Sequence, residues 1–138
     1  MNLSELANIF PVTRDLVVIR KERVKREGSP YFTYTMAALA AAASISFDIE
    51  RTFPAAKKYE PLDWLQFVNN EANNDLLLTI NGNMTLPIPA GTIQTIKNQA
   101  IWHITITNLG GVITTLNKVV LTFQKQPLTA DDAARGVR

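Results

Sequence analysis

His103 is the one histidine of this sequence, and an imidazole is the side chain most often used for proton transfer in catalysis. Asp48 or Glu50 would have to accompany it in a small hydrolase or isomerase. A serine triad would also need a nucleophile and an acid to converge from distant positions, from among Ser44, Ser46, Asp48 and Asp63. No spacing in the sequence brings these groups together, so we interpret His103 as a structural residue on a strand beside Trp102.

Asp48 and Glu50 are two residues apart and would share one face of a strand. With a further oxygen ligand from Asp63 or Glu60 they would form part of a calcium site, but the spacing of an EF-hand is absent. The favoured interpretation is a solvated strand face whose carboxylates pair with nearby cations, namely Arg51, Lys57 or Lys58. We therefore predict no metal and no cofactor.

Basic residues cluster before the break at Gly28-Ser29-Pro30; they are Arg20, Lys21, Arg23, Lys25 and Arg26. Aromatic residues that can stack on nucleic-acid bases follow the break, at Tyr31, Phe32 and Tyr34. Glu22 and Glu27 interrupt the cluster, and the whole chain has a net charge of only +2. These observations disfavour nucleic acid and favour a segment that is solvated or docks on a partner protein.

Trp64 and Trp102, with Tyr59, are the side chains that could form a stacking platform for a sugar. Large aromatic residues in β-rich proteins more often fill a core or an interface. We place Trp102 on the apolar face of its strand, together with Ile104 and Ile106. A carbohydrate-binding or receptor-binding module stays as the alternative function.

The elements that must position these residues are predicted to be strands. Ser44–Phe53 alternates small or polar residues with large apolar ones, so its large side chains share a face. Leu62–Val68 is apolar and aromatic, and it fits either one helical turn or a strand. The asparagine-rich stretch 69–75 is predicted to be a turn.

The second half of the chain carries the clearest hairpin signal. Leu76–Ile80 and Met84–Pro89 flank Asn81-Gly82, a pair suited to the two positive φ values of a type I′ turn. Further strands are predicted at Thr92–Ile96, Ile101–Thr107, Val112–Leu116 and Val119–Phe123. Lys97–Gln99 forms a corner between the first two of these. Short strands at regular spacing predict a mainly β protein, an antiparallel β-sandwich or a jelly-roll-like barrel.

The N-terminal third is predicted to be an extended arm. Residues 1–30 are polar and charge-dense, with a short strand at Leu16–Ile19. The alanine-rich stretch Met36–Ala43 fits helix or strand, and the choice stays open. The predicted organisation is an arm with the alanine-rich segment at 1–43, a β-sandwich at 44–127 and a flexible tail at 128–138.

Composition limits the class of protein. A chain of 138 residues fits one domain, and 46% hydrophobic residues with 19% charged residues predict a globular fold. No secretory signal is predicted, because the N-terminus lacks a basic start followed by an apolar run and a small-residue cleavage site. No membrane span is predicted, because the longest apolar run, Met36–Ala43, is short and alanine-rich. Between residues 76 and 127 there is no Asp or Glu, so the predicted sheet lacks the acids that most enzymes use.

The stretch from about Phe47 to Pro127 resembles the small β-sandwich proteins of virions, in particular the minor capsid and head-decoration proteins of bacteriophages. The resemblance is carried by Asp75–Asn83, Pro87–Thr92 and Ile104–Asn108, which lie in a charge-poor background rich in Thr and Asn. It implies a non-enzymatic subunit located in the virion, which binds a symmetric lattice or copies of itself through an N-terminal arm.

The sequence therefore predicts a structural protein that self-associates and contacts other virion subunits. A charge-poor sheet exposes surface that another subunit can cover. The residues predicted to form the assembly interface are Leu16, Val17, Arg20, Arg23, Tyr31, Phe32, Tyr34, Trp64 and Trp102.

Overall fold

Alternating apolar residues form eight strands, which the computed structural model arranges in two antiparallel sheets of four. The structure describes residues 12–127, and side chains from Val18 onward. The strands are β1 (Phe32–Thr35), β2 (Ser44–Asp48), β3 (Leu62–Asn69), β4 (Leu76–Ile80), β5 (Met84–Ile88), β6 (Thr92–Ile101), β7 (His103–Asn108) and β8 (Val119–Gln124). The helices are α1 (Val12–Glu27), α2 (Ile49–Thr52) and a 3₁₀ helix at Pro54–Tyr59.

The order of the strands is that of a jelly roll. The front sheet has the order β1-β8-β3-β6 and the back sheet has the order β2-β7-β4-β5. Only β4 and β5 form a hairpin within one sheet, and every other connection crosses from one sheet to the other. Two four-stranded sheets connected in this way enclose one core. The prediction of a mainly β, antiparallel sandwich or jelly roll is confirmed.

The core lies between the sheets and is filled by side chains from alternate positions of the strands. Among the completely buried residues are Leu65, Phe67, Leu78, Ile80, Ile104, Ile106, Leu121 and Phe123. Aromatic rings extend this core, and the rings of Phe47 and Phe123 meet edge to face with centroids 6.2 Å apart. The space between the sheets is therefore occupied by the protein itself.

The connections between strands divide the molecule into two ends. We name the loop end after its four connections: β1–β2, β3–β4, β5–β6 and β7–β8. The helix end lies opposite and contains α2, the 3₁₀ helix, the β4–β5 turn and the end of α1 that leads into β1. Within residues 12–127, no helix combines the length and the apolar character that a membrane crossing requires.

The Asn81-Gly82 turn has the geometry that the sequence predicted. Asn81 and Gly82 have φ values of 56° and 76°, and the amide of Asn83 bonds the carbonyl of Ile80 at 3.2 Å. These are the features of a type I′ turn, whose twist matches that of the flanking strands.

Residues 12–27 of the predicted arm form a helix, so the prediction of a short strand at Leu16–Ile19 was wrong. The segment that follows is rich in Lys, Arg and Glu, which favour helix. The helix ends at Gly28, whose φ is +80° and whose amide bonds the carbonyl of Val24 at 2.7 Å. Residues 1–11 of the predicted arm lie outside the described residues, as does the predicted tail at 128–138.

The boundaries of several other elements differ from the prediction. β1 lies within the segment assigned to the arm and pairs with β8, which comes from the far end of the chain. Met36–Ala43 is neither helix nor strand but a loop between β1 and β2. The corner expected at Lys97–Gln99 lies inside β6 as an irregularity, where Asn98 has φ 58°.

Two predicted strand segments were wrong. β2 ends at Asp48, because the chain turns there into α2, and Glu50 therefore does not share a strand face with Asp48. Val112–Leu116 is irregular, because the amide of Thr114 bonds a carbonyl of the β1–β2 loop instead of a neighbouring strand.

Candidate functional site

The loop end is built around two connections that run side by side, the β1–β2 loop and the β7–β8 loop. The amide of Thr114 donates to the carbonyl of Leu39 at 2.9 Å, and the amide of Leu39 donates to Oγ1 of Thr114 at 2.8 Å. The amide of Asn117 bonds the carbonyl of Met36 at 3.3 Å. These bonds order both loops although neither has regular secondary structure.

Asn108, a buried residue at the end of β7, links the same loops through its side chain. Its Nδ2 lies within hydrogen-bond distance of the carbonyls of Leu39 (3.1 Å), Ala40 (3.2 Å) and Val112 (2.8 Å). Its Oδ1 accepts from the amide of Gly110 at 2.9 Å. One side chain thus bonds backbone groups of both loops, in addition to the amide donors that the carbonyls of Leu39 and Ala40 already have.

Asn69, at the end of β3, has the equivalent role in the front sheet. Its Nδ2 donates to the carbonyls of Asn74 and Ile88, both at 3.0 Å. The β3–β4 loop is thereby tied to the end of β5. Gly110 packs so closely on Asn74 that a Cβ at Gly110 would lie 2.0 Å from Oδ1 of Asn74.

A notch of about 250 Å³ separates the β3–β4 loop from the β7–β8 loop. Its lining includes Val112 and Ile113 on one side and the asparagine-rich loop on the other. Glu71 lines the notch as well, and its buried carboxylate accepts a hydrogen bond from the amide of Thr115. The carboxylate is therefore used to hold the β7–β8 loop in place.

Exposed apolar side chains cover the loop end. Leu109, Val112, Ile113 and Leu116 are 54%, 57%, 61% and 58% exposed, respectively. Exposed alanines of the hydrogen-bonded β1–β2 loop extend this surface, at Ala37, Ala38, Ala40, Ala41 and Ala42. We name these nine residues the loop-end patch. Residues 36–43 and 109–117, which contain it, include no charged side chain.

The outer face of the back sheet is rich in hydroxyl groups. Ser46, Thr105, Thr79 and Thr85 occupy matching positions on the four strands and form one row across the sheet. Oγ of Ser46 and Oγ1 of Thr105 share a hydrogen bond of 2.8 Å, and Ser44 pairs with Thr107 at the same distance. The face presents neutral hydrogen-bonding groups.

The outer face of the front sheet is similarly poor in charge. One row across its strands contains Thr33, Thr122, Gln66 and Thr95, and the next contains Thr35, Val120, Val68 and Ile93. In a third row, Trp64 lies between Gln124 and Lys97. Lys97 is the one charged residue in these three rows.

The structure brings together His103 and Asp48, which face each other on β7 and β2. Nδ1 of His103 lies 2.7 Å from Oδ1 of Asp48, and Nε of Arg51 lies 3.7 Å from the second carboxylate oxygen. A carboxylate at Nδ1 holds the proton of a neutral ring there and leaves Nε2 as an acceptor. Ser46 does not complete a triad, because its hydroxyl pairs with Thr105.

The helix end contains a buried ionic cluster. Lys125 is 1% exposed, and its Nζ donates to the carbonyl of Pro61 at 2.8 Å. Nζ of Lys125 and Nζ of Lys21 each lie 3.8 Å from Oδ2 of Asp63. Burial lowers the pKa of Lys125, and the adjacent Asp63 carboxylate opposes this effect. The cluster fastens α1 to the sandwich through charge.

Glu60 lies beside this cluster, and its backbone carbonyl accepts a hydrogen bond from Nη1 of Arg20. Its side chain is buried, and Oε1 has no hydrogen-bond partner among the described residues. Burial raises the pKa of this carboxyl group, with a further contribution from the negative charge of Glu50, while Arg20 and Lys57 oppose the shift.

The residues predicted to form an interface are dispersed over the molecule. Leu16 and Val17 lie in α1, but their side chains are outside the described ones. Arg20 donates a hydrogen bond to the backbone carbonyl of Glu60, and Arg23 is half-buried on the same helix. Tyr31 is exposed on the surface.

Two predicted interface residues pack against the core. Phe32 is buried, and Tyr34 is partly buried, with its ring stacked on Phe47 at a centroid distance of 4.2 Å. Both positions follow from β1, which is a strand of the sandwich rather than part of an arm.

The tryptophans and Tyr59 do not form one platform. Tyr59 is buried, and no ring contact joins Trp64 to Trp102 in the part of the chain that the structure describes. Trp102 is 46% exposed and does not join Ile104 and Ile106 in the core, because it lies at the break between β6 and β7.

The carboxylates considered for calcium are also separated. Asp48 pairs with His103, whereas Asp63 pairs with lysines. Among residues 12–127, no group of three or more His, Cys, Asp or Glu side chains is placed to hold a metal ion.

The sequence analysis does not predict the loop-end patch, because it assigns Val112–Leu116 to a strand. The available signal was the absence of charged residues from 109 to 117.

Comparison with known proteins does not assign the chain to a family. No protein-family model matches the chain, and no curated protein matches it. Among solved structures, it is similar to the Cnp3 cupin domain of Schizosaccharomyces pombe, with 12% identity and a TM-score of 0.37 over 80% of this chain and 69% of that chain. At this identity and TM-score the likeness carries no argument about this chain.

Proposed function

We propose that this protein is a non-enzymatic structural subunit of the virion type, a capsid or decoration subunit that assembles with copies of itself and with other subunits. The observation that carries the proposal is a jelly roll whose interior is filled by its own side chains. Jelly rolls serve as capsid subunits, lectin domains and cupins. Because side chains fill the interior of this jelly roll, we favour functions in which the outer surface binds other molecules.

The outer surface supports an assembly role. Both outer sheet faces are poor in charge and contain many Thr residues, joined by Ser on the back sheet, and the loop end adds an apolar surface. Surfaces of this composition lose little on desolvation, because few charged groups have to leave water. They can be covered by neighbouring subunits on several sides, as a lattice requires.

The arrangement around His103 supports the non-enzymatic part of the proposal. The Asp48–His103 pair lies on the open outer face of the back sheet, between the edge strand β2 and its neighbour β7, whereas the notch is at the loop end. Its neighbours on the face are hydroxyl groups already paired with each other. A pair of this kind stabilises the contact between β2 and β7.

The test is the mass of the full chain in solution, measured by light scattering from micromolar to millimolar concentration, with electron microscopy of the same samples. We expect a defined oligomer that grows into closed or regular particles. A monodisperse monomer at every concentration would contradict self-assembly.

A lectin-like module is the second candidate, because Trp102 is exposed beside Asn81, whose side chain holds the backbone of that turn. A glycan array tests it directly. Binding that disappears in Trp102→Ala, in a chain that stays monomeric, would favour this candidate over the assembly subunit.

A further inference from the structure

We infer that the loop-end patch is the surface through which one copy of this chain binds a second copy, loop end to loop end. The inference rests on the proposed function, because it names the contact by which the subunits assemble. Its occupant is a second copy of the same patch, related by a two-fold axis.

The size of the patch is the first argument. Its four large side chains are each more than half exposed and together present on the order of 400 Å² of apolar surface, which is in the range of the largest patch on a typical monomer. The exposed alanines beside them enlarge it further. Two such patches in contact bury roughly 1,000 Å² in total, which is the lower limit for a specific interface.

The order of the patch is the second argument. Exposed loops are usually costly to immobilise on binding, because their backbone and side chains lose conformational freedom. Here the backbone is already fixed by the Leu39–Thr114 bonds and by the side chain of Asn108. Much of the conformational entropy of these loops is therefore already lost when the chain folds, and less is lost when two copies bind.

The chemistry of the patch identifies the partner. A nucleic acid or an acidic peptide needs positive charge, and the patch has no charged residue. A membrane surface needs basic and aromatic residues around the apolar ones, but the flanking cation of the β7–β8 loop is Lys118 alone and both loops lack Trp, Tyr and Phe. A second copy fits, because a two-fold contact covers the patch with an identical patch, and a surface without charged residues brings no like charges together.

The notch beside the patch supplies shape. Val112 and Ile113 belong both to the patch and to the lining of the notch. A volume of about 250 Å³ has room for an aliphatic side chain from the second copy. A protruding leucine that enters a hole on its partner gives the contact a defined register.

The experiment uses a matched pair of substitutions in the full chain, Ile113→Asp in the patch and Ile93→Asp on the outer face of the front sheet. Both isoleucines are 61% exposed, so the two substitutions add the same charge at equal exposure. We expect Ile113→Asp to weaken the association of two copies by on the order of 100-fold, and Ile93→Asp to change it less than about threefold. Sedimentation equilibrium measures the dissociation constant.

Three outcomes would overturn the inference. An oligomer that persists unchanged in Ile113→Asp, or that is lost only in Ile93→Asp, removes the loop end as the contact and leaves the proposed assembly function intact. A wild-type chain that stays monomeric overturns both. Flotation with vesicles of phosphatidylcholine and phosphatidylserine that is abolished by Ile113→Asp would assign the patch to lipid instead.

A second variant is needed because Ile113 also lines the notch, so that Ile113→Asp could weaken association by disturbing the fold of the loops. Leu116→Lys places a charge of opposite sign in the patch at a residue that is 58% exposed and outside the notch lining. We expect it to weaken association as Ile113→Asp does. An unchanged dissociation constant in Leu116→Lys would count against the loop end whatever happens to the first variant.

Discussion

Single buried side chains determine whether the loop end is ordered. Asn69 and Asn108 each stand at the end of a strand and bond backbone groups of two different connections. A buried amide can do this because it has two donors and an acceptor on one short side chain. These two strand residues therefore add bonds to those that the loops make through their own residues, such as Glu71 and Thr114.

We expect Asn108→Ala to lower the free energy of unfolding by about 2–4 kcal/mol, because it leaves three carbonyls and an amide without their side-chain partner. Urea unfolding followed by tryptophan fluorescence measures the change. Asn73→Ala is the control, since Asn73 is exposed in the β3–β4 loop and should cost less than about 0.5 kcal/mol. Equal losses in the two variants would show that the Asn108 side chain does not hold the loops.

Glu60 makes stability depend on pH. Its pKa is raised in the folded state, so the folded protein binds the proton more tightly than the unfolded chain does. The stability contributed by the protonated carboxyl is present below the ordinary pKa of a glutamate and is lost as the pH rises through the raised folded value. Lys125, whose pKa is lowered, has the opposite dependence and acts at higher pH.

We therefore expect Glu60→Gln to gain stability relative to the wild type as the pH rises from about 4 to about 7, because the amide stays neutral throughout. Urea unfolding at both pH values measures the difference between the two proteins. Glu27→Gln, at an exposed position of α1, is the control and should show no such trend. A difference that does not change with pH would contradict a raised folded-state pKa.

At the scale of elements, the irregular connections are as closely packed as the strands. The β7–β8 loop passes so near the β3–β4 loop that Gly110 has no space for a side chain, whereas Gly111 next to it faces open space. Neither glycine has a positive φ, so space alone distinguishes them. Substitutions at Gly110 and Gly111 therefore test how tightly the β7–β8 loop is packed.

We expect Gly110→Ala to lower the free energy of unfolding by about 1–3 kcal/mol, since its Cβ would overlap with Oδ1 of Asn74. Gly111→Ala should be neutral or stabilise by up to about 1 kcal/mol, because it restricts only the unfolded chain. Thermal unfolding of the two variants measures the contrast. Two variants with the same melting temperature would mean that the loop moves aside.

The sequence predicted the elements whose signal is local. β4, the type I′ turn and β5 follow from alternation and from Asn81-Gly82, and β8 follows from its apolar run. The choice between helix and strand for Leu62–Val68 could not be made locally, because β3 is fixed by pairing with β6 and β8 on either side. Pairing between distant segments leaves no local pattern.

The wrong and missing predictions also depend on contacts between segments that are far apart in the sequence. Val112–Leu116 has the residues of a strand, but the carbonyl of Leu39, more than seventy positions earlier, takes the bond that a strand would have made. The Asp48–His103 pair could be suspected from residue types, yet its formation depends on the register of β2 with β7. The loop-end patch required knowing that two loops far apart in sequence lie together.

At the scale of the whole molecule, charge is unevenly distributed. Among the described residues, the loop end carries only Glu71, Asp75 and Lys118, and Glu71 is buried. Charged side chains are concentrated at the helix end, along α1, in α2, in the 3₁₀ helix and around Asp63. Contacts made by the two ends must therefore respond differently to salt.

We expect the dissociation constant of two copies to stay constant or to fall when NaCl is raised from about 0.05 M to about 0.5 M, because apolar contacts are not screened. Sedimentation equilibrium at several salt concentrations measures it. Docking through the basic residues of α1 would instead weaken steeply over this range. A rise of tenfold or more in the dissociation constant would assign the contact to the helix end.

The unequal ends also make the molecule amphiphilic, with an apolar loop end and an ionic helix end. At a boundary between water and a less polar phase, such as the surface of a thin aqueous film, the loop end leaves water at a gain while the ionic end stays hydrated. The protein should therefore be surface-active and should adsorb with one orientation. The distribution of charge on the protein's own surface therefore determines which end faces the less polar phase, without any partner protein.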